Sequence, residues 1–100
     1  MTSKYYRPAE SWTGADAWWL QVPATAVKDG RTIHLLCEAA PGAAEFRHLR
    51  VPAAYLQAHL DDFAILREDK INLFLSAEPA SEFQDQRGPG RVEFAQFEQP

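Results

Sequence analysis

Two stretches in which apolar and polar residues alternate, 32–38 and 45–51, limit most strongly what this chain can fold into. Each has the period of two that is typical of a half-buried strand, and the Pro-Gly pair between them predicts a loop. The two stretches therefore form a β-hairpin. A slip of one residue would turn a strand's side chains to the opposite face, so the register with Ile33 opposite Val51 is favoured because it collects the apolar residues on one face. That face then holds Ile33, Leu35, Cys37, Leu49 and Val51.

The other face of this hairpin is polar and carries the first candidate site. In the favoured register His34 lies beside Arg50, and His48 shares their face but is separated from His34 diagonally. With Trp19 nearby in chain order, these side chains form a candidate surface for anions or stacked bases, because guanidinium groups offer a planar fork of donors and indoles stack. The alternative is the solvated face of an antiparallel sheet.

Helical spacing begins at Pro52, directly after the hairpin. Proline is tolerated in the first turn of a helix, and apolar residues recur after it at the helical period. The helix should end at Asp61 and Asp62, because two carboxylates are unfavourable at the negative end of the helix dipole. The sequence therefore predicts one principal helix at about residues 52–61, with a longer helix reaching Leu66 as the alternative.

Strands are also predicted on both sides of the hairpin and the helix. Their ranges are 18–22, 63–66, 71–75 and 91–98, with a polar turn at 67–70. The resulting order, β-β-β-α-β-β-β, predicts an α+β domain: a mainly antiparallel sheet of about five or six strands with the helix packed on one face. Residues 1–13 lack periodicity, which predicts an N-terminal tail that is either poorly ordered or docks late through Tyr5, Tyr6 or Trp12. Residues 14–100 then form a single domain.

Composition narrows the classes of protein. The net charge is −4, and residues 61–100 carry nine Asp or Glu against four Lys or Arg. An acidic chain repels nucleic-acid phosphates at long range. A single cysteine allows no intrachain disulfide, and the sequence has neither the apolar core of a signal peptide nor a membrane-length apolar run. We therefore expect a cytoplasmic protein without a membrane partner, and the preference for Arg over Lys suggests a bacterial source.

No set of residues matches a catalytic or metal-binding motif. Cys37 alternates with core positions, as a small buried hydrophobe does. His34, His48 and His59 lack metal-ligand spacing, and an arginine beside a histidine disfavours a bound cation. Neither a metal nor another cofactor is predicted.

The second candidate site is the loop Arg87-Gly88-Pro89-Gly90-Arg91. Two arginines that flank a flexible turn can clamp a phosphate or a carboxylate. The loop lacks the GK[ST] ending of a phosphate-binding loop, and Pro89 has no N–H to offer. The alternative is a plain turn that leads into the last strand.

Three function classes follow. The favoured one is a protein-interaction or accessory module without catalytic activity, which binds a basic partner protein through its acidic C-terminal half or associates with itself through an open strand edge. The second is an accessory nucleic-acid-binding domain with an Arg and aromatic patch, which the net charge opposes. The third is a small enzyme or ligand-binding subunit with a His and Arg site. The candidate surface residues are Trp19, His34, His48, Arg50, Arg87 and Arg91.

Overall fold

Two small β-sheets fold over one hydrophobic core in the computed structural model, which describes residues 1–65 and 69–100. The first sheet has the order β1-β4-β5, with bounds Thr2–Ser3, Ile33–Glu38 and Phe46–Val51. The second has the order β2-β3-β7-β6, with bounds Tyr5–Tyr6, Ala17–Pro23, Lys70–Ser76 and Ala64–Ile65. All pairs are antiparallel except β1 with β4. The α+β class and the antiparallel character are confirmed, whereas the single sheet of five or six strands is wrong.

Residues 2–6 connect the two sheets. Ser3 pairs with Cys37 of the first sheet, and Tyr5 pairs with Trp18 of the second. The segment that was predicted as a tail thus contributes a strand to each sheet. The Tyr5 hydroxyl donates a hydrogen bond to Asp16 Oδ2 at 2.6 Å, and this bond to a carboxylate raises the pKa of Tyr5 to about 12.

The predicted hairpin register is confirmed. Ile33 lies opposite Val51 and Leu35 opposite Leu49, and all four side chains are buried in the core. The free edge of β5 is partly covered by the C-terminal segment, because Gln99 N–H donates to the His48 carbonyl at 2.7 Å.

The described part of the chain contains two short α-helices rather than one principal helix at 52–61. The helix α2, Ala53–Ala58, follows Pro52 as predicted and gives way to a 3-10 helix at Leu60–Asp62. The unpredicted helix α1 is Ala24–Lys28. Gly30, with φ of +75°, ends it, and Arg31 N–H donates to the Ala26 carbonyl at 3.1 Å. A helix of one turn is too short to show a hydrophobic period.

The predicted last strand at 91–98 is wrong. Val92 and Phe94 are buried, which explains the alternation, but the segment pairs through isolated bridges at Glu93 and Glu98 and forms a 3-10 helix at Ala95–Phe97. Residues in this segment therefore alternate between buried and exposed although the segment does not form a continuous β-ladder with another strand.

The predicted strand at 63–66 is confirmed for Ala64–Ile65, which pairs with β7, so the alternative of a longer helix is wrong for these residues. Leu66 and the start of the predicted turn at 67–70 lie outside the described residues. No helix of the described segments has both the length and the apolar character needed to cross a membrane.

Strand β7 is buried on both faces. Ile71, Leu73 and Leu75 point into the shared core, as their alternation predicted. The residues between them, Asn72, Phe74 and Ser76, are also buried, although they point to the outer side of the second sheet. Side chains from elsewhere in the chain must therefore cover this outer side.

Candidate functional site

A cleft of about 460 Å³ lies on the outer side of the second sheet, above Phe74. Its aromatic and charged lining consists of Tyr6, Glu10, Trp12, Trp19, Phe74 and Arg87. A concave surface of this size, with aromatic walls and few charged groups, is typical of sites that bind a ligand or a peptide. We refer to it as the aromatic cleft.

The floor of the aromatic cleft is the ring of Phe74, which contacts two indoles. Trp19 lies opposite Phe74 in the β3–β7 ladder, and their rings stack at 5.7 Å with 13° between planes. The Trp12 ring lies 5.5 Å from Phe74 and is tilted by 44°. Trp19 Nε1–H donates to Asn72 Oδ1, which holds this indole in place. The stacking surface is thus formed before any ligand arrives, which lowers the entropy cost of binding.

Both indoles are open to solvent. Trp12 is 63% exposed and Trp19 is 41% exposed. Scattered exposed apolar residues are common, but two tryptophans on one cleft form a contiguous apolar surface of the kind that marks an interaction site.

Arg87 supplies the positive charge of the cleft. Its guanidinium carbon lies 4.8 Å from the centre of the Trp12 ring and 5.5 Å from that of Phe74. Among the described residues no carboxylate forms an ion pair with it. A guanidinium that rests on rings keeps the N–H groups at its edge free to bind an anion.

The buried carboxylate of Asp85 holds the floor and the charged wall together. It accepts backbone N–H groups from Phe74 at 3.0 Å, Arg87 at 3.2 Å and Gly88 at 3.1 Å. Asp85 has no exposed surface, and this burial raises its pKa although the three N–H donors act in the opposite direction. The backbone on which Arg87 sits is therefore tied to the strand that carries Phe74.

The loop Arg87–Arg91 places its two arginines in different surroundings. Arg87 lines the aromatic cleft, whereas Arg91 has φ of +48° and donates from Nη1 to the Gln86 carbonyl. The loop packs closely on its neighbours at Gly88, where a Cβ would lie 2.9 Å from Phe63 Cα. The second candidate site thus contributes one arginine to the cleft and uses the other within the loop.

The polar face of the hairpin lies on the first sheet, and none of its candidate residues, His34, His48 and Arg50, lines the aromatic cleft. His34 Nδ1 and His48 Nε2 are 2.7 Å apart, so one ring donates a hydrogen bond to the other. The expectation that the diagonal separates these histidines is wrong, because diagonal neighbours on antiparallel strands lie within reach of ring side chains. Arg50 pairs opposite His34 as predicted. Trp19, which was grouped with them, belongs to the second sheet.

The remaining residues considered for chemistry are buried or paired. Cys37 has no exposed surface, and burial raises its pKa to about 12, so the thiol is not an activated nucleophile. His59 Nδ1 lies 2.9 Å from Asp62 Oδ2. Across residues 1–65 and 69–100 no cluster of three or more His, Cys, Asp or Glu could hold a metal ion.

Several carboxylates of the acidic C-terminal half have partners inside the chain. Arg47 forms bidentate pairs with Glu82 and Glu98, with N···O distances from 2.6 to 2.8 Å. Glu78 accepts Asp16 N–H at 3.2 Å, and Asp85 is buried. Much of the negative charge of residues 61–100 is therefore used within the fold. Arg47 is equally committed, so it is not a free cation for nucleic acid.

Replacing Arg47 with lysine should destabilise the protein by about 1 kcal/mol, because an ammonium cannot reproduce two bidentate pairs. Arg47 lowers the pKa of Glu82. The contribution of this carboxylate to the free energy of unfolding is therefore fully present when the pH is above the ordinary carboxyl pKa, and it is lost as the pH falls through the lowered pKa of Glu82. Urea unfolding should show the loss at neutral pH and not in acid. Arg50→Lys, on the exposed face of the same strand, is the control; an equal loss in both variants would contradict the pairing.

Most of the aromatic cleft was missed by the sequence-based candidates. Trp19 and Arg87 were selected, but for separate sites, and Trp12 was considered only as a docking residue of the tail. Phe74 and Asp85 resemble an ordinary strand residue and an ordinary loop carboxylate. Searches with the chain found no matching protein-family model, curated protein or solved structure. The geometry of the cleft is thus the basis on which a function can be assigned.

Proposed function

We propose that this protein is a binding module that holds an extended segment of a partner protein in the aromatic cleft. The observation that carries the proposal is the pair of exposed indoles, Trp12 and Trp19, packed around Phe74 beside a guanidinium without an ion-pair partner in the described chain. Grooves lined by aromatic rings bind extended, proline-containing segments well, because such segments lose little conformational entropy and their rings pack flat on indoles.

A polypeptide fits the cleft better than a nucleic acid does. A single strand requires a row of cations along its phosphates in addition to stacking rings. The cleft offers Arg87 together with the opposing charge of Glu10, and the whole chain has a net charge of −4. Arg50 lies on the other sheet, and Arg47 is held by two carboxylates.

The cleft is also a better supported contact surface than the acidic C-terminal half. A basic partner that docked on residues 61–100 would find exposed carboxylates at Asp61, Asp69 and Glu93 in the described part. Glu82 and Glu98 are already paired with Arg47 at the surface, and Asp85 is buried. We therefore assign the interaction to the second sheet.

Trp12→Ala should weaken the binding of a cleft peptide by about thirtyfold, as expected when an anchoring tryptophan is truncated in an interface. The probe is a display library of short random peptides selected on the intact protein, and dissociation constants of the selected peptides are measured by titration. Trp12 is 63% exposed, so the variant should fold normally, which thermal unfolding checks.

Phe46→Ala is the matched control, since Phe46 is an aromatic residue of similar exposure, 46%, on the outer face of the first sheet. Its peptide affinity should equal that of the wild type. The proposal fails if no peptide is enriched, if Trp12→Ala binds the selected peptides unchanged, or if a single-stranded oligonucleotide binds more tightly than they do.

A further inference from the structure

The guanidinium of Arg87 indicates which charge the bound segment should have. We infer that this segment is acidic: a carboxylate of the partner pairs with the guanidinium of Arg87 while a neighbouring proline or apolar side chain packs on Trp12 and Trp19. The inference rests on the proposed function and specifies its ligand.

The orientation of Arg87 suits an anion at the mouth of the cleft. One face of its guanidinium lies over the rings of Trp12 and Phe74, at 4.8 and 5.5 Å. Stacking of this kind leaves the N–H edge of the fork, which matches the two oxygens of a carboxylate, as the available binding group. The Arg87 backbone N–H is fixed by Asp85, so the side chain starts from a defined position.

Arg47 shows how the same arrangement looks when the chain itself supplies the anion. Its guanidinium lies 4.5 Å above the ring of Phe83, and its N–H edge binds Glu82 and Glu98. Arg87 repeats the ring contact without an ion pair to any described residue, including Glu10, which lines the same cleft. Arg47 uses its N–H groups to bind carboxylates of the same chain. The corresponding N–H groups of Arg87 are available to bind a carboxylate of a ligand.

Glu10 further limits the kinds of ligand that are compatible with the cleft. Its carboxylate adds a negative charge to the wall of the cleft that contains Arg87. A segment with one carboxylate directed at Arg87 is compatible with this arrangement, whereas a row of phosphates would place like charges side by side. The ligand class is therefore a mildly acidic peptide with a proline or apolar residue next to its carboxylate.

Two synthetic peptide pools test the inference. They are identical except that one carries glutamate and the other glutamine beside a fixed proline, and their affinities are measured on the wild type and on Arg87→Gln. We expect the glutamate pool to bind the wild type about tenfold more tightly than the glutamine pool, and the two pools to bind Arg87→Gln equally. Such a double-mutant cycle isolates the carboxylate–guanidinium pair. Arg50→Gln, on the other sheet, should keep the tenfold preference.

The outcomes separate this inference from the proposed function. Equal affinity of both pools for the wild type, with binding that still depends on Trp12, overturns the acidic ligand and leaves the peptide-binding cleft standing. Persistence of the tenfold preference in Arg87→Gln also overturns it, because another residue then reads the carboxylate. Binding of neither pool, together with failure of the random library, overturns the proposed function itself.

Discussion

Asp85→Ala is expected to lower the free energy of unfolding by about 3–5 kcal/mol, because one substitution removes the acceptor of three backbone N–H groups in a buried site. The donors belong to Phe74, Arg87 and Gly88. The donors of Phe74 and Gly88 would stay buried without a partner, since Asp85 has no exposed surface through which water could replace it. Urea unfolding followed by circular dichroism measures the loss.

Two companion variants sharpen this test. Asp61→Ala removes an exposed carboxylate and should change stability by less than about 0.5 kcal/mol. Asp85→Asn keeps one acceptor oxygen but presents an amide toward a donor, so it should fall between the wild type and the alanine variant. Because the pKa of Asp85 is raised, its stabilising contribution is complete below the ordinary carboxyl range and is lost as the pH rises through the raised value. The difference between wild type and Asp85→Asn should therefore be largest in acid.

The consequence for the aromatic cleft is equally testable. Asp85 fixes the backbone of Arg87 relative to the strand of Phe74, so Asp85→Asn should weaken peptide binding under conditions in which the variant is still folded. An Asp85→Ala variant that unfolds within about 1 kcal/mol of the wild type would show that other groups satisfy these donors.

Gly88→Ala should destabilise the protein by about 2–3 kcal/mol through overpacking. A Cβ at this position would lie 2.9 Å from Phe63 Cα and 2.7 Å from Asp85 Oδ2, and it would also meet the Asp62 carbonyl oxygen. Two of these neighbours are backbone atoms, which cannot move aside as the end of a side chain can. Differential scanning calorimetry measures the effect.

Pro89→Ala is the control for this substitution, because Pro89 is the exposed neighbour of Gly88 in the same loop. It should change stability by less than about 1 kcal/mol. If Gly88→Ala were as stable as the wild type, the loop could not pack against Asp62 and Phe63 at the short distances described above.

The sequence predicted the local patterns of this fold well. The hairpin register followed from the alternation in residues 32–38 and 45–51, and the helix after Pro52 followed from proline chemistry. It failed at residues 91–98, where alternating burial was taken for a strand, and at Ala24–Lys28, where one helical turn shows no period.

The candidate site could be predicted only in pieces. Trp19 was selected, yet its place beside Phe74 follows from the pairing of β3 with β7, whose residues are about fifty positions apart in the chain. Arg87 was also selected, and its place beside Phe74 depends on the buried carboxylate of Asp85. Periodicity indicates which side of a strand is buried, and it says nothing about which distant strand becomes its neighbour. The cleft therefore became visible only in three dimensions.

The sequence by itself determined which side chains of the hairpin and of residues 71–75 point into the shared core, because the period of two is a property of the local chain. It did not determine that Asn72 and Phe74, on the other side of β7, would also be buried. Tertiary structure alone decided where the charges find partners. Glu82 and Glu98 meet Arg47, Asp85 meets three backbone N–H groups, and Arg87 meets rings. The energy of two charges depends on the distance between them in space, and a count of charges along the chain gives no information about that distance. For this reason the predicted acidic half became part of the scaffold, and the cleft beside Arg87 became the proposed binding site.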